Sequence, residues 1–404
     1  MNVQEQVQIR RQKGQEIAKT GKVKLNGNKW IVPSQSTTKA YEVILRLDKS
    51  TCNCPDYEER QMKCKHIFAV EITVTKQINE DGTATITKRI TYSQQWSEYN
   101  QAQTSELKMF DELLYDLVQN VDEPHYVFGR PTIPLREQVF CSVIKVYSQL
   151  SSRRASMLYE YAKQRGFIQH KPHFNVVSKL LNRSDLDPIL SKLLTTTALP
   201  LRSVEERFAV DSSGFSTTSF SSYCREKHKT GKTHQWLKAH VAVGVKTNII
   251  AGVEIGEEHS ADSPKFIPLA QQLIANGFNM REISGDKAYM SNDNLVYADS
   301  MGATAFIPFR NGVGARGSDR SSTWTKMFYY FMYNREEFLR HYHARSNVET
   351  TFSAIKKKLG ETLKSRNRQA QVNELMCKLI AYNITVLIQE MHELGIKPDF
   401  YPLG

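Results

Sequence analysis

Two groups of side chains in this sequence have the types and spacing to do chemistry. The first lies in CNCPDYEERQMKCKH, where Cys52, Cys54, Cys64 and His66 form a C-x-C-x9-C-x-H pattern. Thiolate and imidazole are donors that tetrahedral zinc prefers, and two close pairs on one loop can close around an ion with little loss of chain entropy. The bland alternative is three reduced, buried thiols beside an incidental histidine. The second group is three separated carboxylates: Asp211 in FAVDSSGF, Asp286 in EISGDKAY and Glu349 in YHARSNVETTFSAIKKK. Both aspartates fall at the ends of predicted strands, where ligand sites of α/β sheets gather. Three carboxylates brought together repel one another and rise in pKa unless hard cations sit among them. Magnesium or manganese suits such a set, and two such ions about 4 Å apart can activate an attacking oxygen and stabilise a leaving one. Taken singly, each acid has a plainer use. Asp211 could cap a turn, Asp286 could pair with Lys287, and Glu349 could bridge Arg345 at i,i+4 with little net stability.

The stretch around Glu349 predicts a helix over 342–358. Tyr342, Arg345, Glu349 and Lys356 share one polar stripe at helical spacing, while Val348, Phe352, Ile355 and Leu359 form an apolar stripe roughly 80° around the same cylinder. The apolar stripe would dock the helix and leave the charged stripe at the edge of the contact.

The elements that must position these groups read as follows. Residues 20–48 alternate as short strands (KVKL, KWIV, YEVILRL), with a short helix after His66 and a polar hairpin or linker in NEDGTATITKR. From Ser105, a candidate N-cap, to about residue 201 the period is helical, with Leu107, Phe110, Leu114 and Leu117 on one face of the first helix. A helix-turn-helix fits this stretch, and so does a helical spacer or dimerisation element. From Arg207 the period changes to two. RFAVDSSGF, QWLKAHVAVGVK, NIIAGVEIG, EISGDKAY and ATAFIPF read as five strands, with helices in SPKFIPLAQQLIANG and NDNLVYAD. This order describes a mixed α/β sheet with helices packed on it. Residues 310–335 read as an interruption, in which Trp324 beside Met327, Phe328 and Tyr329 is core rather than a platform for an extruded base. His234 and His240 read as satisfied residues flanking the second strand. A last apolar helix, ELMCKLIAYNITVLIQEMHEL, completes the core.

Composition points to a polyanionic partner. The net charge is +12 with a pI near 9.2, and eight Lys or Arg against two acids lie between Arg340 and Gln369. No run of about 18 apolar residues and no lipidation motif is present, which argues against a membrane. The N-terminal stretch lacks a signal-peptide core, so a cytoplasmic protein is expected. Six cysteines give no paired framework; three cluster, and Cys141, Cys224 and Cys377 read as small buried hydrophobes.

The cysteine-histidine pattern resembles the SWIM-type zinc finger over roughly residues 20–75. The resemblance implies one structural zinc ion on Cys52, Cys54, Cys64 and His66, in a module that binds DNA or protein. The order strand Asp, strand Asp, helix Glu, together with Y-x2-R-x3-E-x6-K over Tyr342, Arg345, Glu349 and Lys356, resembles the DDE transposases of prokaryotic insertion sequences, in the branch marked by that Tyr-Arg-Glu-Lys signature. The likeness runs from about Phe208 to Leu387 and takes in DKAY, RSNVE and LIAYN. It implies an RNase H-like catalytic fold, divalent metal on Asp211, Asp286 and Glu349, and Tyr342, Arg345 and Lys356 on the DNA strand near the scissile phosphate. It further implies nicking at the element end and attack of the freed 3′-hydroxyl on target DNA. Joining two ends requires two active sites, so a homodimer on terminal inverted repeats and target DNA is expected, at the nucleoid. The stretch between the fifth strand and the Glu349 helix is about 35 residues, too short for a large inserted β domain.

The expected organisation is a zinc-finger module over 1–100, a helical segment over 105–201 and a catalytic domain over 205–395. Two other functions remain open: a non-catalytic, transposon-derived DNA-binding regulator, and a nuclease of the same core without strand transfer.

Overall fold

The computed structural model describes residues 3–19, 23–26, 29–35, 40–44, 50–73, 75–78, 84–87, 96–125, 128, 132–217, 235–310, 312–315, 317 and 320–400. Cys224, His234 and the end of the predicted strand YEVILRL lie outside these residues. The chain forms two compact units, 1–93 and 94–404.

The first unit holds a four-stranded antiparallel sheet in the order β1 (Lys24–Asn26), β2 (Lys29–Pro33), β3 (Ala40–Ile44), β4 (Thr51–Cys52). Helix α1 (Val3–Lys19) precedes it, α2 (Pro55–Arg60) and α3 (Lys65–Thr73) follow, and β5 (Thr75–Ile78) and β6 (Ala84–Thr87) form the polar hairpin. No element is predicted for residues 3–19, because their polar composition carries no wide apolar stripe. They fold as a helix because α1 packs on α3 through a narrow contact. Ile17 is buried, and at Gly14 a Cβ atom would lie 2.7 Å from that of Phe68, so only glycine allows the approach. Arg10 then clamps Asp56 on α2 with two hydrogen bonds of 3.0 Å.

In the second unit α4 (Trp96–Val118), α5 (Leu135–Tyr147), α6 (Ser152–Gln164), α7 (Phe174–Leu181) and α8 (Leu186–Ala198) precede the sheet. These helices and the sheet share one hydrophobic core. Helix α4 begins nine residues before Ser105, which is therefore not its N-cap. The Ser105 hydroxyl instead donates to the carbonyl of Gln101 one turn back, which lets a serine sit inside a helix. Leu107, expected on the buried face, is 73% exposed; Phe110, Leu113, Leu114 and Leu117 make the core face.

The sheet consists of β7 (Arg207–Ser216), β8 (Trp236–Gly244), β9 (Ile250–Gly256), β10 (Glu282–Gly285) and β11 (Thr304–Phe306), with α9 (Ser263–Ala275) and α10 (Asn292–Ser300) in the connections. Its order is β11-β10-β7-β8-β9. Strands β7, β8 and β9 form an antiparallel meander, while β10 and β11 run parallel to β7, as in the expected RNase H-like sheet. The stretch read as an interruption contains α11 (Ser322–Tyr333) and leads into α12 (Arg335–Tyr342). Trp324 is buried there, donating to the carbonyl of Gly314 with Phe309 against its ring.

The predicted helix over 342–358 is present, tightened to a 3-10 turn near its start. Tyr342 ends α12, residues 343–345 make a 3-10 turn, and α13 spans Ser346–Leu359. The apolar stripe is as expected, with Val348, Phe352, Ile355 and Leu359 buried against the core. Helix α14 (Arg368–Glu393) runs through the middle of the unit and packs against α4, α5, α8 and β9. Within the LIAYN stretch, fully buried Asn383 accepts from the Ile250 N–H at 3.0 Å and donates to its carbonyl at 2.8 Å and to the Thr197 hydroxyl at 2.9 Å. One side chain thus does for the edge strand β9 what a further strand would do.

Asn383→Ala leaves the buried polar groups of Ile250 unpaired and is expected to cost about 2–4 kcal/mol in denaturant unfolding. Buried Glu390 supplies a pH-dependent term. Burial first, then the charges of Glu393 and Glu205, push its carboxyl up to about 8. The folded state therefore holds a proton that the unfolded chain releases near pH 4, and stability falls as pH rises through that window toward 8. Glu390→Gln should flatten this fall, with unfolding midpoints compared at pH 5 and pH 8.5 as the measurement.

Candidate functional site

The carboxylate site begins with strand register. Gly285 of β10 lies opposite Val210 of β7 in a parallel ladder, so the next residue on each strand is an aspartate, Asp286 and Asp211. A Cβ at position 285 would come within 2.9 Å of the Val210 side chain, so glycine permits this pairing just before Asp286. Helix α13 packs on β7 and β8 and brings Glu349 in from its first turn. Side-chain exposure rises from 18% at Asp211 through 42% at Asp286 to 56% at Glu349, so the three acids line the wall of an opening to solvent.

Arg345 ties the three together. Its guanidinium is 3.5 Å from Asp211 and 3.8 Å from Asp286, and it bonds directly to Glu349. It also donates to the Tyr342 hydroxyl at 3.4 Å. The backbone stays right-handed helical through the 3-10 turn at 343–345, so Tyr342, Arg345 and Glu349 remain neighbours at i, i+3 and i+7 on one stripe that faces the strand ends. Burial pushes the Asp211 carboxyl above its usual range; Arg345 and the Ser212 N–H oppose this, and Asp286 and Glu349 add to it. At Arg345 burial works against the charge, but Tyr342 and the three acids outweigh it and raise the guanidinium further. Burial likewise raises the Tyr342 phenol, leaving it protonated and able to donate. Lys356 lies one side along α13, with Nζ 5.4 Å from the centre of the Phe215 ring. A groove of about 530 Å³ runs from Asp211 and Glu349 along α13, lined also by Ser213, Ser353, Lys356 and Lys357.

A second network, which the sequence did not signal, lies behind Asp211. Neighbouring strand residues point to opposite faces. Asp211 faces Glu349, while the Ser212 hydroxyl donates to Asp262 at 2.9 Å. Asp262 also meets Lys238 at 2.8 Å and His240 at 3.3 Å. His240 is fully buried and pushed down to about 4, mainly by burial, so the ring is neutral. Tyr289 of the DKAY stretch lies 3.4 Å from the same ring. Asp262 stands at the start of α9, where the sequence suggests no more than a cap, but its side chain makes no capping bond there.

The first unit holds the sulfur cluster. Cys52 ends β4, and Cys54 precedes α2, whose first residue Pro55 leaves no N–H unsatisfied. Cys64 and His66 flank the first residue of α3. All four are buried, and their ligand atoms lie within 4.8 Å of one another. His66 Nδ1 faces the sulfurs, 3.9 Å from both Cys52 and Cys64, and the Tyr41 ring packs on the imidazole at 4.6 Å. Cys64 is pushed down to about 4, first by the hydrogen bond from Cys52, against the effect of burial and with help from His66 and the Ile67 N–H. The start of a helix favours a thiolate at that position. Three buried sulfurs and one imidazole nitrogen facing a common point fit tetrahedral zinc in number, donor type and closure.

The four sulfur and nitrogen donors thus lie in one cluster, and the three carboxylates with Tyr342 and Arg345 in another, with Lys356 at the rim. Residues 202–384 match the family described as "Transposase DDE domain", and residues 41–74 match "SWIM zinc finger". The chain carries both. Among solved structures it is similar to the piggyBac transposase synaptic complex with hairpin DNA, at 9% identity and a TM-score of 0.35, over 72% of this chain and 74% of that one.

Purified protein is expected to contain about one zinc ion per chain. Cys64→Ser should lower that content and destabilise residues 41–74; unchanged zinc by elemental analysis would refute the ligand set.

Proposed function

We propose, from a transposase DDE domain joined to a SWIM zinc finger, that the chain is a DNA transposase. In this reading it binds the ends of an insertion sequence, cleaves a DNA strand there and transfers the freed 3′ end to target DNA. The observation that carries it is the gathering of Asp211, Asp286 and Glu349 from two strands and a helix around Arg345, with Asp211 and Glu349 opening into a groove that Lys356 and Lys357 line.

Asp211, Asp286 and Glu349 would hold two Mg2+ or Mn2+ ions; all-oxygen, anionic donors of this kind suit such ions. When bound, the ions activate the attacking oxygen and stabilise the leaving one. The rest falls to the chain's own residues. Arg345 offers a planar fork to a phosphate next to the scissile bond, Tyr342 donates its hydroxyl proton to a phosphate or sugar oxygen, and Lys356 neutralises a phosphate further along the groove. The network behind Asp211, from Ser212 through Asp262 to Lys238 and His240, keeps the strand end rigid while the DNA changes. The finger grips the terminal inverted repeat. Two chains act together because two ends are joined, and the protein works in the cytoplasm at the nucleoid. No helix among the described residues is long and apolar enough to cross a membrane.

All three acids are in place, which favours an enzyme over a regulator that only binds. A nuclease without strand transfer would share the same carboxylates, so the product decides between them. With Mg2+ and a duplex carrying the element's end, the protein should nick that end and join a 3′-hydroxyl oligonucleotide to a plasmid. Glu349→Gln should reduce both reactions by about a hundredfold or more, the range seen when one group that stabilises the transition state is removed. Cleavage at the wild-type rate would overturn the assignment of Glu349, and nicking without joining would favour the nuclease.

A further inference from the structure

We infer that Arg345 is the resident counter-cation of the carboxylate site. Without DNA it holds the position that divalent ions need, and a DNA phosphate draws it away. The inference rests on the reading of Asp211, Asp286 and Glu349 as a metal site, and it assigns Arg345 a role beyond contact with the DNA strand.

The geometry points to a displaceable occupant. One guanidinium reaches all three acids, yet its distances to Asp211 and Asp286 are 3.5 Å and 3.8 Å. Charge-assisted hydrogen bonds are about 2.7–2.9 Å long, so the two aspartates are held by charge and not by a fitted fork. The side chain is only 19% exposed, which places the positive charge inside the cluster instead of in solvent above it. A single guanidinium carries one positive charge against three carboxylates. It relieves part of their repulsion and leaves the site anionic, in need of further cations.

Tyr342 offers Arg345 a neutral partner beside the acids. Its hydroxyl accepts from Nη1 at 3.4 Å, the same nitrogen that lies 3.8 Å from Asp286, so the guanidinium has one partner that is not a carboxylate. A phosphate beside Tyr342 would offer two oxygens to the planar fork, a better fit than two aspartates at long range. Movement toward that phosphate opens the space between the acids. Metal and DNA then tighten each other's binding by the same factor, as linkage requires. A site that loads fully only with DNA present is guarded against idle metal chemistry.

The test is Mn2+ binding to the zinc-loaded full chain, read as loss of the free-ion signal in electron paramagnetic resonance, with no DNA present. Arg345→Gln should bind Mn2+ about tenfold more tightly than wild type or better, since one positive charge within contact distance of the ion is removed. Arg345→Lys keeps the charge and should stay near wild type, and Arg345→Met repeats the measurement if the amide variant fails to fold. Adding Asp211→Asn to Arg345→Gln should abolish the gain. Lys356→Gln removes a nearby charge that touches none of the acids and should change little. Unchanged or weaker binding in Arg345→Gln would overturn the inference and leave the metal site standing, as would an equal gain in Lys356→Gln. If wild type shows no Asp211-dependent Mn2+ binding even with duplex DNA, the metal site itself is refuted and the inference falls with it.

Discussion

The parallel register of β10 on β7 is the constraint on which the rest of the carboxylate site depends. With Gly285 beside Val210, two aspartates leave neighbouring strands at the same level and face the same opening. A slip of one residue would turn one of them to the other face of the sheet, toward α9 and the core. The register is held from both sides. The Gly285 contact leaves no room for a larger residue, and the meander β7-β8-β9 ties the strand carrying Asp211 to α14 through Asn383.

Bringing a third acid to this place is electrostatically unfavourable, so apolar packing has to supply the force. Val348, Phe352, Ile355 and Leu359 bury one face of α13, each contributing on the order of 2 kcal/mol. That contribution exceeds what a partly exposed ion pair such as Arg345 with Glu349 could add, which is a few tenths of a kcal/mol. The helix is therefore docked by its core face, and the polar groups at its edge are free to serve a ligand. The 3-10 turn before Ser346 belongs to the same arrangement, since it continues the helical stripe that sets Arg345 beside the strand ends while α13 keeps its packing.

The zinc-finger unit is organised differently. Its core is small, and the four donors stand within 15 residues of chain, counting from Cys52 to His66. Local turns and the starts of two short helices suffice to aim the sulfurs and the ring at one point. In so small a core the ion itself becomes part of the folding energy. Residues 94–404, by contrast, have a core large enough to hold three acids together without metal.

The difference in range explains what could be read from the sequence. The finger's four candidate donors, the five strands, the strand-end positions of Asp211 and Asp286 and the apolar face of the Glu349 helix all follow from spacing and period, which are local properties. Their convergence did not follow from spacing alone; for the carboxylates it was supplied by a family likeness. Other features were hidden because partners far away in the chain decide them. Helix α1 forms on a contact between Gly14 and Phe68, and α4 starts before its apparent cap because Ser105 can bond one turn back. Asp262 becomes the hub of a network through Ser212, Lys238 and His240, which lie on other strands. The sequence by itself determined which donors and acids are present and which face of each element is buried. Only the tertiary structure decided that one arginine should sit among all three acids, because its position depends on strand register and on how the Glu349 helix docks on the sheet, both set by packing across the fold.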